Sequence, residues 1–102
     1  MEKILSPQNS LIKTAISLAK KKYRLSTGLF KVEGVRTVEE LIVSGYDIYA
    51  LIATEEAYSR TRVDELMKIA IERDCRVVCV PDALYAKITE VEEHQGIMAL
   101  VY

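Results

Sequence analysis

"DIYALIATEEAYSRTRVDELMKIAIERDCRVVCV", residues 47–80, decides the fold class. Residues 47–54 are largely apolar and rich in side chains that favour strands. Residues 60–74 then place Val63, Leu66, Met67 and Ala70 at helical spacing, so a helix follows with those four inward. Residues 76–80, "RVVCV", are apolar enough on both faces to form a central strand. So short a crossover between strands implies parallel pairing and a right-handed connection.

The alternation continues in both directions. Upstream, "GLFKVEG" (28–34) reads as a strand with Leu29, Phe30 and Val32 as its apolar content, broken by Gly34. "VRTVEELIVSG" follows as a helix burying Val38, Leu41 and Ile42 and stopping at Gly45. Before these, residues 9–21, "NSLIKTAISLAKK", read as one amphipathic helix with Leu11, Ile12, Ala15, Ile16, Leu18 and Ala19 on a broad apolar face. Ser6 or Asn9 can cap it, Pro7 suits its entry turn, and Lys20 to Lys22 crowd its C-terminus, where cations favour the macrodipole. Downstream, "PDALYAKI" (81–88) is a short helix with Asp82 as its cap, and "QGIMALVY" (95–102) is a last strand. The expected fold is therefore α/β: a single domain, residues 1–102, in which a mostly parallel or mixed four-stranded sheet is sandwiched between two helical layers. A chain that ends directly on a strand, without a polar tail, hints at a domain boundary.

Half the residues are hydrophobic and 28% charged, which excludes a disordered chain. No apolar run reaches the roughly 20 residues of a membrane span, and "MEKILSPQNS" lacks the core of a secretory signal. Cys75 and Cys79 fall on one expected strand about 13 Å apart, too far for a disulfide, and two thiols with one distant histidine are too few for a metal site. They read as reduced thiols in a cytoplasmic protein. The four glycines are scattered, so there is no phosphate loop or dinucleotide fingerprint. His94, the one histidine, lies in an acidic loop with no nucleophile beside it and reads as solvated. Glu90, Glu92 and Glu93 lack the spacing of a calcium loop. No self-contained active site is visible.

The net charge of −1 conceals an asymmetry. Residues 1–36 hold eight Lys/Arg against two acids, and residues 37–102 hold six against thirteen. A polyanion responds to the local patch, because exposed charges beyond about 8 Å are screened at physiological salt. Seven of the eight cations fall within residues 13–36, interleaved with Ser17, Ser26 and Thr27 and close to the rings of Tyr23 and Phe30, the latter expected in the core. Asn9, Lys13 and Lys20 form a stripe opposite the apolar face of the first helix. Such a pattern suits phosphate neutralisation, and so nucleic acid.

These residues also resemble a known family. "ILSPQNSLIKTAISLAKKKYRLSTGLFKVEGVRTVEELI" (4–42), together with "HQGIMALV" (94–101), resembles the N-terminal substrate-binding domain of the SpoU-type (TrmH-like) RNA 2′-O-ribose methyltransferases. Ile4, Ser6 and Asn9 match the opening of the family pattern. Lys13 and then Leu18, Lys21, Lys22 and Arg24 match its basic helix. Phe30, Val32, Glu33, Gly34 and Arg36 match its Phe-x-Val-Glu-Gly-x-Arg block, and Gln95, Gly96 and Ala99 its closing segment. His94 stands where the family often has proline, a departure confined to the loop before the last strand.

The resemblance implies a fold related to a small RNA-binding ribosomal protein. It implies a role in gripping structured ribosomal or transfer RNA for a following knotted domain that binds S-adenosylmethionine and carries the catalytic residues. This chain is then expected to hold no catalytic residue, cofactor or metal, to be cytoplasmic, and to be monomeric in isolation. The RNA-binding set it implies is Asn9, Lys13, Lys20, Lys21, Lys22, Arg24, Glu33, Gly34 and Arg36. At the Glu33–Gly34 turn the first amides of the next helix would favour a phosphate, and Arg36 would add its charge. Glu33 could accept from a base amine or ribose hydroxyl, or equally hold the turn through nearby amides or Arg36. Gln95–Gly96 reads as a structural turn. A free-standing ribosomal-protein-like RNA binder, and a small α/β interaction domain that binds protein or nothing, are the competing readings.

Overall fold

The computed structural model describes residues 2–102. Along the chain run β1 (Glu2–Lys3), α1 (Ser10–Ser17), α2 (Lys21–Thr27), β2 (Phe30–Glu33), α3 (Val35–Val43) and β3 (Ile48–Thr54). Then come α4 (Glu55–Tyr58), α5 (Thr61–Glu72), β4 (Val77–Val80), α6 (Asp82–Ile88) and β5 (Ile97–Val101). The strands form one mixed sheet in the order β1-β4-β3-β5-β2.

Side-chain alternation along the strands divides the core in two. On β3, Ala50 and Ile52 join Leu11, Ile12, Ala15 and Leu18 around α1, and Leu84, Tyr85 and Ile88 of α6. Leu51 and Ala53 face the other way, toward Val38 and Ile42 of α3 and toward Val63, Leu66, Met67 and Ala70 of α5. Helices thus cover both faces of the sheet, and the three-layer α/β/α expectation holds. The four inward residues of α5 are those its periodicity named.

Three expectations are corrected or narrowed. The sheet has five strands, not four: β1 pairs with β4 over only Glu2 and Lys3, too few residues to leave an alternating pattern. A bidentate contact from Arg76 to the Glu2 carboxylate (3.0 and 3.1 Å) helps to hold that edge. Second, of the two arrangements expected, mostly parallel or mixed, the sheet takes the mixed one: β1–β4 and β3–β4 are parallel, whereas β5 runs antiparallel to both β3 and β2. The reason is the connection after β4. The chain leaves the sheet at Val80, opposite Thr54, crosses the face in the seven-residue α6, and re-enters at Ile97, opposite Ala53. Exit and entry lie at the same end, so β5 must run backwards.

Third, the single helix expected over residues 9–21 is two helices. Leu18 ends α1, and Lys20 adopts extended backbone before α2 begins. A continued helix would put Lys22 on the apolar stripe one turn beyond Leu18, where its charge would be buried. Ala19 is consequently exposed, and Ile16, at the margin of the stripe, is 37% exposed. Phe30 is also exposed, because it opens an edge strand that nothing covers at that point. Asp82 begins α6 without a side-chain cap.

Candidate nucleic-acid interface

The polar stripe begins at Asn9, whose Oδ1 accepts from the amides of Leu11 (2.9 Å) and Ile12 (3.4 Å) and so caps α1. Lys13 stands exposed on the same helix. Lys20, Lys21 and Lys22 are exposed too, and none of these four lysines has an ion-pair partner among the described residues. The position of the lysine triplet differs from expectation. It flanks the N-terminus of α2 rather than the C-terminus of a long helix, so the macrodipole opposes it. The favourable role at the end of α1 falls to Arg24, whose Nη1 donates to the carbonyls of Leu18 (2.9 Å) and Ala19 (3.1 Å). Arg24 is therefore a tether between α1 and α2.

Strand β2 sorts its charges by alternation. Lys31 and Glu33 point toward α6, while Val32 packs against the core on the opposite face. The Lys31 side chain is only 4% exposed; its Nζ donates to the Ile88 carbonyl at the end of α6 (2.7 Å) and lies 3.5 Å from the Glu90 carboxylate. The Glu33 carboxylate accepts from the Tyr85 hydroxyl (3.0 Å), the Thr89 hydroxyl (2.6 Å) and the Glu90 amide (3.3 Å). Burial, with the Glu33 charge beside it, pushes the Tyr85 phenol above its ordinary range. The carboxylate is thus tied to α6 and the loop after it, not to the amides of the turn or to Arg36.

Gly34 begins α3 with φ +106°, a conformation that side-chain-bearing residues rarely adopt. The first amide of α3 is occupied: Val35 N donates to Gln95 Oε1 at 2.7 Å, and the Gln95 carbonyl accepts from Arg60. Gly96, φ +77°, lies where an added Cβ would fall 2.6 Å from Thr54 Oγ1. Gln95–Gly96 is thus a turn, as expected, and also the cap of α3. His94 is not a solvated loop residue. It is half-buried with its ring 4.6 Å from that of Tyr85, beside a cleft of about 140 Å³ that Glu33, Gly34 and Gln95 also line. Arg36 is exposed in the first turn of α3.

The topology separates what the sequence runs together. Lys20 to Arg24 precede the start of β2, at the end of the sheet where β5 finishes, because Phe30 pairs with Val101. Glu33, Gly34 and Arg36 lie at the opposite end with Gln95, Gly96 and Thr54. Asn9, reached from the exit of β1, is at that second end, and Lys13 lies between along α1. Arg36 is further separated by the sheet itself, since α3 covers the face opposite α1. The nine residues are not one patch.

Charge counting placed Lys31 in the basic patch, whereas its side chain is buried against α6, and it could not show that Gln95 caps α3. A Lys-x-Glu pair inside a short apolar strand was the available signal, since alternation must send both charges the same way.

Among the described residues, no group of His, Cys, Asp and Glu could hold a metal ion, and no helix is long and apolar enough to cross a membrane. Both cysteines are free, Cys79 buried in β4 and Cys75 half-buried just before it.

Comparison with known proteins places these features in context. The family model for the MRM3-like substrate binding domain matches residues 9–99. A search of curated protein sequences gives no match. Among solved structures, an rRNA methyltransferase from Sinorhizobium meliloti superposes with a TM-score of 0.80 at 22% identity over 97% of this chain and 36% of its own. Its AdoMet-bound form superposes with the same TM-score. An RNA 2′-O ribose methyltransferase gives 0.77 at 22% identity, covering 96% of this chain and 36% of its own. A putative RNA methyltransferase of the TrmH family from Porphyromonas gingivalis gives 0.67 at 26% identity, covering 93% and 35%. The shared fold occupies about a third of each of those longer chains.

Proposed function

Because the chain belongs to the family of MRM3-like substrate-binding domains, we propose that it is the RNA-recognition part of an RNA 2′-O-ribose methyltransferase. In this reading it holds structured ribosomal or transfer RNA while a following domain transfers the methyl group. The observation that carries it is the conjunction of that family match with four exposed lysines, Lys13, Lys20, Lys21 and Lys22, that have no ion-pair partner among the described residues. Unpaired cations on one continuous stretch, α1 through α2, supply affinity for phosphates irrespective of sequence.

The other residues of the candidate set take different parts. The amide nitrogen of Asn9 is a sugar or phosphate donor at the head of that stretch, while its oxygen serves the cap. Arg24 holds α2 in place. Glu33 ties β2 to α6 and the loop after it, Gly34 lets the chain turn into α3, and Arg36 reaches only an RNA large enough to pass round the edge of the sheet. The methyl donor is S-adenosylmethionine, in keeping with the AdoMet-bound Sinorhizobium relative. In this reading the following domain, not this chain, binds that donor. Free cysteines suit a reducing cytoplasm, and the domain works as a monomer unless the rest of the protein pairs it.

Fluorescence titration of the chain with a structured ribosomal RNA segment tests this reading. Binding that weakens steeply with salt is expected, with no methyl incorporation from S-adenosylmethionine by this chain alone. No binding at low salt would refute RNA recognition, and incorporation would refute the division of labour.

A further inference from the structure

Helix α2 has an unusual position: among its seven residues none is buried. A helix this short is not stable by propensity, yet it has no apolar face against the core. What holds it is local: the Arg24 guanidinium on the Leu18 and Ala19 carbonyls just past α1, and the Thr27 hydroxyl donating to the Tyr23 carbonyl (2.7 Å) while accepting from the Leu29 amide (3.1 Å). At 100° per residue, the Arg24 tether leaves Lys22 and Ser26 on the outward side, flanked by Leu25 and Tyr23. Leu25 is 74% exposed and Tyr23 38% exposed, with Lys22 Nζ 5.0 Å from the centre of the tyrosine ring. From Lys3 to Val32 the chain carries seven cations and no acid.

A solvated helix presenting only lysines would be ordinary. One that exposes a leucine and an aromatic ring on either side of a lysine is built to cover something that is both apolar and anionic. An unpaired nucleotide has that combination, a flat base on a charged phosphate, whereas a base inside a duplex keeps its face hidden. We propose that α2 is a stacking platform for unpaired RNA bases. Tyr23 takes the face of a base from a loop or bulge, Leu25 packs against its neighbour, and Lys20, Lys21 and Lys22 hold the flanking phosphates. The inference rests on the RNA-recognition reading and adds which RNA feature is recognised and where.

The test compares two RNAs of equal length, a hairpin with an unpaired loop and a fully paired duplex, titrated with the full chain at fixed salt. The hairpin is expected to bind at least about fivefold more tightly, the lower limit of one stacked base. Tyr23→Leu, which keeps the bulk and removes the ring, should abolish that preference and leave duplex binding unchanged. A triple K20Q/K21Q/K22Q variant should weaken both RNAs to a similar degree. All these positions are exposed, and circular dichroism is used to check that each variant remains folded. Equal binding of the two RNAs, or a hairpin preference that survives Tyr23→Leu, overturns the stacking platform while leaving RNA recognition standing. RNA binding indifferent to all α2 variants overturns it too. Failure of the wild-type chain to bind either RNA overturns both readings together.

Discussion

Glu33 shows how a single carboxylate can look like a ligand-binding group and serve as a structural one. It stands in the basic third of the chain, where a negative charge would repel phosphate, yet it accepts three hydrogen bonds from α6 and the residues after it. Replacing it with alanine leaves the partly buried Tyr85 hydroxyl without its acceptor and the Thr89 hydroxyl with only the Val91 carbonyl at 3.4 Å. The expected cost is about 1–3 kcal/mol, read as a lowered urea midpoint, with RNA affinity at low salt unchanged. If RNA affinity falls while stability holds, Glu33 contacts RNA.

Its partner Tyr85 gives a pH signature. Up to about pH 10, the ordinary phenol value, folded and unfolded chains both keep the proton. Above it the unfolded chain releases the proton while the folded chain, with its raised phenol, retains it. Stability therefore falls as pH rises beyond about 10. Thermal melts between about pH 9 and 11.5, a range that brackets the ordinary phenol value, should show a shallower decline for Tyr85→Phe than for the wild type. Parallel declines would contradict the burial argument.

At the scale of elements, what could be read from the sequence was what repeats along it. The inward stripe of α5, the capped start of α1 and the strand over residues 48–54 are periodic or composed of residues with one strong preference, and they stand as expected. The break after Leu18 could not be read that way, because a run of lysines is compatible with helix propagation until burial is considered. The antiparallel course of β5 was equally hidden, since it depends on where α6 lets the chain re-enter the sheet. The site divided along the same line. Exposed cations were legible from charge, but the burial of Lys31 and the capping by Gln95 depend on hydrogen bonds between residues 57 and 60 positions apart. Gly96 belongs to this scale as well, because it lets β5 start against Thr54. Gly96→Ala, combining a left-handed backbone with a clash, should cost at least about 1–3 kcal/mol in a denaturant melt, whereas a cost near zero would mean that the turn can rearrange.

For the whole molecule, the separation of charge is the consequence of fold that matters most. A short edge strand carries the chain from one end of the sheet to the other, so seventeen consecutive residues that look like one basic patch, Lys20 to Arg36, are divided between two ends. The acidic remainder lowers the net charge to −1 without pairing Lys13 or the lysine triplet. On the proposed reading, the surface that would meet RNA is therefore the α1–α2 path, with Arg36 outside it. The most direct measurement is the slope of log affinity for a structured RNA against log salt, in the wild type, in K13Q/K20Q/K21Q/K22Q and in Arg36→Gln. The slope should shrink by roughly one for each phosphate that is no longer neutralised, so it should fall by about three to four in the quadruple variant and hardly at all in Arg36→Gln. An unchanged slope in the quadruple variant, or a larger reduction from Arg36→Gln, would contradict the assignment.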